Sequence, residues 1–280
     1  MYIVIGKSGQ LASELKATMD KKNVVFLGRN EINLFSNQDI INTLSQYNPK
    51  AIINSAAYTN VDEAESNKIA AFALNEKAVK FLANFCADKD IRFIHTSTDF
   101  VFDGSQSRPY EADDSVNPIN VYGLSKLGGE IAIRNSNFKN YSIIRTSWLY
   151  SVYGKNFVKT MLNLMASKNI LNIVDDQIGR PTNARGLAKF IWSIVDEPFV
   201  ENIYHWSDLG KASWFEFANE IYSQGQNLGL INNNVTINGI STSAYPTAAI
   251  RPKYSVLSVC SKSEKTWQES LQDMLIELNK

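Results

Sequence analysis

A buried strand that leads into a glycine turn is predicted by Tyr2-Ile-Val-Ile-Gly6-Lys-Ser-Gly9-Gln-Leu-Ala12. The turn has the form G-x-x-G-x-x-A and opens a helix. Its glycines would let the backbone bend tightly and approach a pyrophosphate, whose charge the helix N-terminus favours. Ala12 would allow the helix to pack closely on the strand. A simple tight turn could contain the same glycines, but their place after the first strand of an alternating chain favours a dinucleotide site.

Short β-rich runs then alternate with longer helical stretches. Strands are predicted at residues 2–5, 23–27, 51–54, 91–95 and 141–144, and crossover helices at residues 10–19, 37–47, 68–88 and 120–134. The strand runs are continuously apolar, as in parallel strands covered on both faces. Repeated right-handed crossovers predict an α/β fold with a Rossmann-type doubly wound parallel sheet.

The alternation of strands and helices becomes less regular after residue 148. This change predicts a smaller C-terminal substrate-binding lobe. Helices are predicted at residues 156–167, 184–195, 213–222 and 266–278, and a further strand at residues 202–205. We assign residues 1–148 and 184–206 to the dinucleotide-binding Rossmann domain. Residues 149–183 and 207–280 would form the substrate-binding lobe.

Composition favours a small-molecule partner. The 280 residues include 28 basic and 28 acidic side chains, and we find no basic block that would follow a nucleic acid or an anionic membrane. No segment reaches the roughly 20 apolar residues of a membrane span. The two cysteines are far apart and fit thiols in a reducing compartment, so we expect a cytoplasmic protein. The two histidines lack acidic or cysteine partners at metal-binding spacing, so no metal site is predicted.

Carbonyl reduction is suggested by Asn120-Val-Tyr122-Gly-Leu-Ser-Lys126, which follows the Ser97-Thr-Asp99 segment. A tyrosine and a lysine four residues apart lie on one helix face, where the ammonium could lower the pKa of the phenol. Such a phenol could exchange a proton near neutral pH. A surface tyrosine beside a surface lysine is the alternative, and the spacing alone does not exclude it.

The end of the second predicted strand bears on the cofactor. NAD-specific sites usually place an acidic residue there for the ribose hydroxyls, whereas this chain has Arg29. A guanidinium can form two hydrogen bonds with a 2′-phosphate, which favours NADPH. A solvated surface arginine is the alternative, and the nearby Glu31 keeps NADH use open.

Five segments together resemble the dTDP-4-dehydrorhamnose reductase family of the extended short-chain dehydrogenase/reductase superfamily. They are Gly6-Lys-Ser-Gly9-Gln-Leu, Asn54-Ser-Ala-Ala-Tyr-Thr-Asn-Val-Asp62-Glu-Ala-Glu65, Ser97-Thr-Asp-Phe-Val-Phe-Asp-Gly104, Asn120-Val-Tyr-Gly123 and Arg145-Thr-Ser-Trp148. The likeness continues through Asp176-Gln-Ile-Gly-Arg-Pro-Thr182 and Thr242-Ser-Ala-Tyr-Pro-Thr247 to Arg251, and so covers nearly the whole chain.

The resemblance implies reduction of the 4-keto group of a dTDP-6-deoxyhexose with NADPH or NADH. It implies that Tyr122 is the general acid, that Lys126 binds the nicotinamide ribose and lowers the phenol pKa, and that Thr98 contacts the reacting oxygen. Thr98 could instead cap the following loop. The implied cofactor-binding residues are Gly6, Gly9, Gln10, Leu11, Arg29, Ala57, Tyr58, Thr59, Thr96, Tyr122 and Lys126. The implied substrate-binding residues are Val61, Thr98, Asp99, Trp148 and Arg251.

Some of these assignments have ordinary alternatives. Val61 and Trp148 read as core residues without the resemblance, since apolar groups near strand ends usually are. Arg251 would pair with the substrate pyrophosphate or, equally, form a surface ion pair. A homodimer is compatible with the resemblance, and the sequence leaves open whether Glu14 takes part in a metal-linked one.

Three departures from the family pattern bear on specificity. Ala12 stands where the family usually has glycine, Phe100 where it has tyrosine, and Asn33 where it has aspartate. Two further hypotheses stay open, the first because of Phe100 and the second because some relatives with this fold are regulatory subunits. One is a reductase of another UDP-, GDP- or dTDP-keto sugar, and the other is a noncatalytic NADP-binding regulatory subunit, which would have no need of Tyr122 as a proton donor.

Overall fold

A six-stranded parallel sheet forms the centre of the protein. The computed structural model describes residues 1–198, 200–260 and 262–280. Its strands are β1 (Tyr2–Ile5), β2 (Val24–Leu27), β3 (Ala51–Asn54), β4 (Arg92–Thr98), β5 (Tyr141–Thr146), β6 (Leu149–Tyr150), β7 (Ile170–Val174), β8 (Ile178–Gly179), β9 (Thr182–Asn183), β10 (Ile203–His205), β11 (Ala212–Ser213) and β12 (Thr236–Ile240). The sheet order is β10-β5-β4-β3-β1-β2, and every pairing in it is parallel. The predicted Rossmann-type sheet is therefore confirmed.

Helices cover both faces of this sheet and build the C-terminal region. They are α1 (Gln10–Ala17), α2 (Asn37–Leu44), α3 (Val61–Ser66), α4 (Lys68–Phe72), α5 (Ala78–Lys89), α6 (Val121–Arg134), α7 (Phe157–Ser167), α8 (Ala184–Ile194), α9 (Trp214–Asn227) and α10 (Trp267–Leu278). Short 3₁₀ turns occupy Asp99–Val101 and Thr242–Ala244. In the described residues, no helix is both long and apolar enough to cross a membrane.

The continuous apolar strands serve two cores at once. Successive side chains of a strand point to opposite faces. Ile3 of β1 joins the core beneath α2 and α5, whereas Val4 joins the core that contains residues of α1 and α8. Both residues are fully buried. The sheet therefore has no solvent-facing side, which explains the absence of alternation in the sequence.

A third core lies in the C-terminal region. Met161, Phe217 and Leu271 pack together with Tyr150 and other apolar residues of α7, α9 and α10. β7 and β12 pair in parallel beside it, although neither strand was predicted. β10 instead joins the central sheet, and α8 packs in the core that contains Val4. The proposed division of the chain into two domains stays a prediction.

The predicted helix at residues 68–88 is interrupted. α4 passes into a π-helical turn at Ala73–Lys77 before α5 begins. The turn contacts α6 so closely that a side chain at Gly129 would overlap the backbone oxygen of Asn75. Single π turns inside α-helices often occur at functional sites, and hydrophobic periodicity does not reveal them.

A buried ion pair joins α6 to β5. Glu130 accepts hydrogen bonds from Arg145 Nε at 3.0 Å and Nη2 at 2.8 Å, and also from the Ser97 hydroxyl at 2.6 Å. The two charged side chains are 0% and 2% exposed. Removing one charge from such a pair leaves the other buried without a counter-ion.

We therefore expect Glu130→Gln to lower the free energy of unfolding by about 3–5 kcal/mol, because it strands the Arg145 charge. Urea denaturation followed by circular dichroism measures this change. Glu197→Gln is the matched control, because Glu197 pairs with Lys262 at the surface. Such exposed pairs contribute about 0–1 kcal/mol. Equal effects of the two substitutions would contradict the prediction.

Candidate active site

The predicted site residues converge on one edge of the central sheet. In a parallel sheet the carboxyl ends of all strands meet at the same edge, and ligands bind where the strand order reverses. Here the reversal lies between β1 and β3, because the chain passes from β1 outward to β2 and then returns to the other side. Arg29 follows β2, Gly6 follows β1, Tyr58 follows β3, and Thr98 ends β4.

The glycine turn after β1 has the close approach that a dinucleotide pyrophosphate needs. Gly6 has a φ of +107°, and an added Cβ would lie 2.8 Å from Ser55 Oγ and 2.9 Å from Ala56 N. Only glycine fits there. Gly9 N donates to Gly6 O at 2.8 Å, which closes the turn. This backbone cradle fits a dinucleotide cofactor.

The start of α1 also suits an anion. Gly9 is its N-cap and supplies no side-chain cap, so the first amide groups of the helix are not satisfied by a cap. Gln10 Oε1 accepts a hydrogen bond from Asn156 Nδ2 at 2.9 Å, which ties the turn to the chain before α7. Leu11 is buried in the core, so only its backbone could face a cofactor.

Arg29 is exposed beyond β2, beside an ion pair that the sequence did not reveal. Glu31 accepts from Gly28 N at 2.8 Å and from Lys7 Nζ at 2.6 Å. The bond with Lys7 is the main reason that the pKa of Glu31 is lowered. An ion-paired carboxylate and an exposed guanidinium therefore lie together where the adenosine ribose of a dinucleotide would lie.

The segment after β3 is held by a buried asparagine of the π-helical turn. Asn75 Oδ1 accepts from Tyr58 N at 2.8 Å, and its Nδ2 donates to Tyr58 O at 3.0 Å. The same amide donates to Ser125 Oγ at 2.9 Å, in α6. Ala57 is half-buried and Thr59 is exposed on this segment. The segment after β3, which contains predicted cofactor-binding residues, is thus bonded through Asn75 to the helix that carries Tyr122.

Tyr122 lies at the N-terminal end of α6 and close to Thr98. Asn120 caps this helix by accepting from Gly123 N at 2.8 Å. Burial raises the pKa of the Tyr122 phenol to about 12; the Thr98 hydroxyl acts against this rise, and the charge of Asp99 adds to it. The phenol is therefore protonated at neutral pH and is able to donate its proton.

Thr98 also has the structural role that was its alternative. Its hydroxyl accepts from Phe100 N at 3.2 Å, which caps the 3₁₀ turn after β4. It lies 3.1 Å from Asp99 Oδ1 as well. A capping role does not exclude a catalytic one, since the cap also fixes the hydroxyl beside Tyr122.

Lys126 contacts β4 instead of the phenol. Its Nζ donates to Thr96 O at 2.6 Å and lies 3.3 Å from His95 Nε2. Burial lowers the pKa of Lys126 to about 8, against the effect of Glu130. The prediction that Lys126 lowers the phenol pKa is wrong for this conformation, because the long side chain reaches the carbonyl of Thr96.

His95 lies inside β4 and not at its end, and it is an ordinary hydrogen-bonded histidine as predicted. Asn54 Nδ2 lies 3.1 Å from its Nδ1. Burial lowers the pKa of His95 well below its usual value, and the Lys126 charge lowers it further. A neutral imidazole therefore lies behind the Lys126 amine.

Asp99 is a buried carboxyl next to Tyr122. Burial raises its pKa to about 7, although bonds from Ser255 and Thr98 favour the ionised form. Its Oδ2 has no hydrogen-bond partner in the described part of the chain. An unpartnered buried oxygen at this place could accept a hydrogen bond from a ligand hydroxyl.

Phe100 stacks edge-on against Tyr122. The ring centroids are 5.9 Å apart with an interplanar angle of 75°. An apolar ring therefore covers one side of the phenol where a tyrosine would add a hydroxyl. This contact contributes to the burial of Tyr122.

Arg251 forms the ion pair that was the alternative to a pyrophosphate contact. Its guanidinium donates to Asp62 Oδ1 at 3.1 Å and to Oδ2 at 2.7 Å, and it donates to Thr247 Oγ1 at 2.6 Å. Asp62 lies in the first turn of α3, next to the half-buried Val61. The role of Arg251 toward a pyrophosphate stays a prediction.

Trp148 follows β5, which is the neighbour of β4. Thr98 pairs in register with Thr146, two residues before Trp148. The Trp148 ring stacks on Trp214 with centroids 3.5 Å apart. The residue is half-buried, and its role toward a sugar stays a prediction.

Glu14 is engaged by the protein itself. It accepts from Ser151 Oγ at 2.7 Å and from Arg185 Nε at 3.0 Å, and it is 1% exposed. Across residues 1–198, 200–260 and 262–280, no group of three or more His, Cys, Asp or Glu side chains could hold a metal ion.

Several supporting residues were missed in the sequence. Asn120 could have been found, because asparagine is a preferred N-cap and precedes a predicted helix. Asn75 and Ser125 carry no such signal, since their roles depend on contacts between distant segments. The contact of Asn54 with His95 has no sequence signal for the same reason.

Comparison with known proteins agrees with this geometry. Residues 1–280 match the family model described as the RmlD substrate binding domain. The dTDP-4-dehydrorhamnose reductase of Sinorhizobium fredii is 38% identical over 286 residues, covering 97% of this chain and 95% of that protein. The enzyme of that name from Aggregatibacter actinomycetemcomitans is 34% identical over 286 residues, covering 97% of each.

A solved structure shares the whole fold. The dTDP-4-dehydrorhamnose reductase of Bacillus anthracis, in complex with NADP, superposes with a TM-score of 0.93 at 31% identity. The alignment covers 99% of this chain and 98% of that one. The chain therefore belongs to the RmlD family, in which these relatives are named dTDP-4-dehydrorhamnose reductases.

Proposed function

We propose that this protein is an NADPH-dependent reductase of the 4-keto group of a nucleotide-activated 6-deoxy sugar, converting dTDP-4-dehydro-L-rhamnose to dTDP-L-rhamnose. The observation that carries the proposal is the protonated Tyr122 phenol beside the Thr98 hydroxyl, on the sheet edge that also holds the glycine turn. The names of the relatives give the substrate class.

The cofactor is held by backbone more than by side chains in this proposal. Gly6 and Gly9 would receive the pyrophosphate at the start of α1, and Arg29 would bind the 2′-phosphate. Lys126 would bind the nicotinamide ribose by exchanging its contact with Thr96 O for the ribose hydroxyls. When bound there, NADPH supplies the hydride that reduces the carbonyl carbon. NADH use stays open because Glu31 lies at the same place.

The proton for the reduced oxygen comes from Tyr122. Its raised pKa keeps the phenol protonated until negative charge develops on the substrate oxygen. Thr98 would hold that oxygen by a hydrogen bond. The 3₁₀ cap on Thr98 keeps its hydroxyl fixed, which reduces the reorganisation needed at the moment of transfer.

The sugar would lie between β4 and the C-terminal lobe. Asp99 has an unpartnered oxygen for a sugar hydroxyl, while Val61 and Trp148 would form apolar walls. Arg251 would bind the pyrophosphate after leaving Asp62, since both partners are anionic and bidentate. We also propose a cytoplasmic location, no binding to nucleic acid or membranes, and a homodimer as a compatible assembly.

A second candidate is a reductase of a different nucleotide-activated keto sugar. Phe100 favours it, because this ring presents no hydroxyl beside Tyr122. The mechanism would be unchanged, and only the sugar or its nucleotide would differ.

The proposal is tested by NADPH oxidation at 340 nm with dTDP-4-dehydro-L-rhamnose, beside the UDP and GDP keto-sugar analogues. We expect turnover on the dTDP sugar. Tyr122→Phe should lower kcat by about 100- to 10,000-fold, because it removes the general acid, and should leave the Kd for NADPH nearly unchanged.

Tyr47→Phe is the matched control, because Tyr47 packs on a core of the sheet away from α6. It should retain full turnover. Undiminished turnover in Tyr122→Phe would remove this residue from the mechanism. Turnover only on a UDP or GDP sugar would select the second candidate, and no turnover despite NADPH binding would favour a regulatory subunit.

Arg29→Ala should weaken NADPH binding by about 10- to 100-fold, the usual effect of losing a charged hydrogen bond, and change NADH binding little. Fluorescence titration of each cofactor measures the two Kd values. Arg134→Ala removes another exposed arginine, from the last turn of α6, and should affect neither. Equal losses for NADPH and NADH in Arg29→Ala would mean that Arg29 does not bind the 2′-phosphate.

The affinity for NADPH should depend on the protonation of Lys126. Its pKa is lowered to about 8, so it is an ammonium below that pH and loses its charge as pH rises. We expect the Kd for NADPH to be constant at lower pH and to increase as pH rises through about 8. Titrations across this range measure the inflection.

Lys126→Met should bind NADPH weakly at every pH and lose the inflection, since it carries no titrating amine. Tyr122→Phe should keep the inflection, because the phenol pKa lies near 12. An inflection that survives in Lys126→Met would assign it to another group.

A further inference from the structure

The backbone at Trp148 is strained. Its φ of +45° lies in the left-handed region, which bulky residues other than glycine rarely adopt. Such a conformation persists only where the surroundings over-determine it, and it often occurs at ligand sites. This conformation costs stability, and it sets the direction in which the indole leaves the backbone.

Two contacts fix the indole from outside its own segment. Gly179, in β8, approaches so closely that an added Cβ would lie 2.5 Å from Trp148 Cε2 and 2.6 Å from Nε1. Trp214, the first residue of α9, stacks on the same indole with centroids 3.5 Å apart and planes 5° apart. Trp214 itself packs against Phe157, and the centroids of these two rings are 4.6 Å apart.

The backbone of the same residue is bonded as well. Thr182 N donates to Trp148 O at 3.2 Å, and the following strand β6 pairs with β9. The segment of residues 178–183 therefore supplies both a backbone partner for Trp148 and the glycine surface on which its ring rests. This segment therefore holds both the backbone and the ring of Trp148 in place.

The supported indole follows the strand that neighbours β4. Thr146 lies beside Thr98 in the sheet, and Trp148 follows two residues later. Trp148 is half-buried, so part of its surface is accessible at this end of the sheet. A flat apolar surface of this kind suits the apolar face of a sugar ring.

We propose that Gly179 and Trp214 are positioning residues that hold the Trp148 indole as one wall of the sugar subsite, and so determine affinity for the sugar part of the substrate. The inference rests on the proposed function and adds two residues to it.

Gly179→Ala tests the proposal with a single methyl group. The backbone of Gly179 is outside the left-handed region, so alanine is permitted there and its effect comes from the clash with the indole. We expect the Kd for dTDP-L-rhamnose to rise on the order of 10-fold, the usual cost of a misfit in a binding pocket. The Kd values for dTDP and for NADPH should not change. Isothermal titration calorimetry measures all three.

Gly186→Ala is the matched control. An added Cβ there would lie 2.6 Å from Trp206 Cη2, an indole of the core beside α8. It imposes a similar clash on a tryptophan outside the proposed subsite. All three Kd values should match those of the unsubstituted protein.

Trp214→Leu is a second variant, in case Gly179→Ala fails to fold. It removes the stacked ring and should raise the Kd for dTDP-L-rhamnose and the KM for the keto sugar, while leaving the Kd for dTDP unchanged. Unchanged dTDP-L-rhamnose affinity in the folded variants would overturn the positioning roles. Equal weakening of dTDP and dTDP-L-rhamnose would also overturn them, since it would indicate general damage to the lobe. Absence of dTDP-L-rhamnose binding by the unsubstituted protein would instead refute the proposed function on which they rest.

Discussion

Parallel pairing of the strands is the constraint on which the candidate site depends. Because all six strands run in one direction, their carboxyl ends meet at a single edge. Gly6, Tyr58, Thr98 and Trp148 come from distant parts of the chain, yet each follows or ends a strand at that edge. Helices on both faces then bury the sheet completely, so a ligand can reach the backbone only at the loops of this edge.

Buried polar contacts help to set the position of α6. Ser125 meets Asn75, Lys126 meets Thr96 O, and Glu130 meets Arg145, all on the buried face of one helix. Each polar group loses its water on burial and needs a partner with correct geometry. A small rotation of α6 would break several of these bonds together. The orientation of Tyr122 toward β4 is thus fixed by groups that take no part in proton transfer.

The C-terminal region is connected to the same helix. Asn120 uses its oxygen to cap α6 and its Nδ2 to donate to Ile250 O at 2.8 Å. One residue further along, Arg251 forms its bidentate pair with Asp62 at the start of α3. The loop at residues 247–251 is therefore bonded to the starts of both α6 and α3. Displacement of this loop by a ligand would break the bond between Ile250 and Asn120, the residue that caps the helix carrying Tyr122.

The sequence by itself determined the sheet and its crossovers, because continuous apolar strands and the glycine turn are local patterns. The type of chemistry followed from several segments that together resemble one family. Local pattern also located the helices α7, α8 and α10. Only the tertiary structure decided which partner each polar group has. It directed Lys126 to Thr96 O, paired Arg251 with Asp62, and interrupted the helix before α5 at the contact with Gly129. These outcomes depend on burial and on contacts between segments far apart in the chain, and neither hydrophobic periodicity nor residue spacing contains that information.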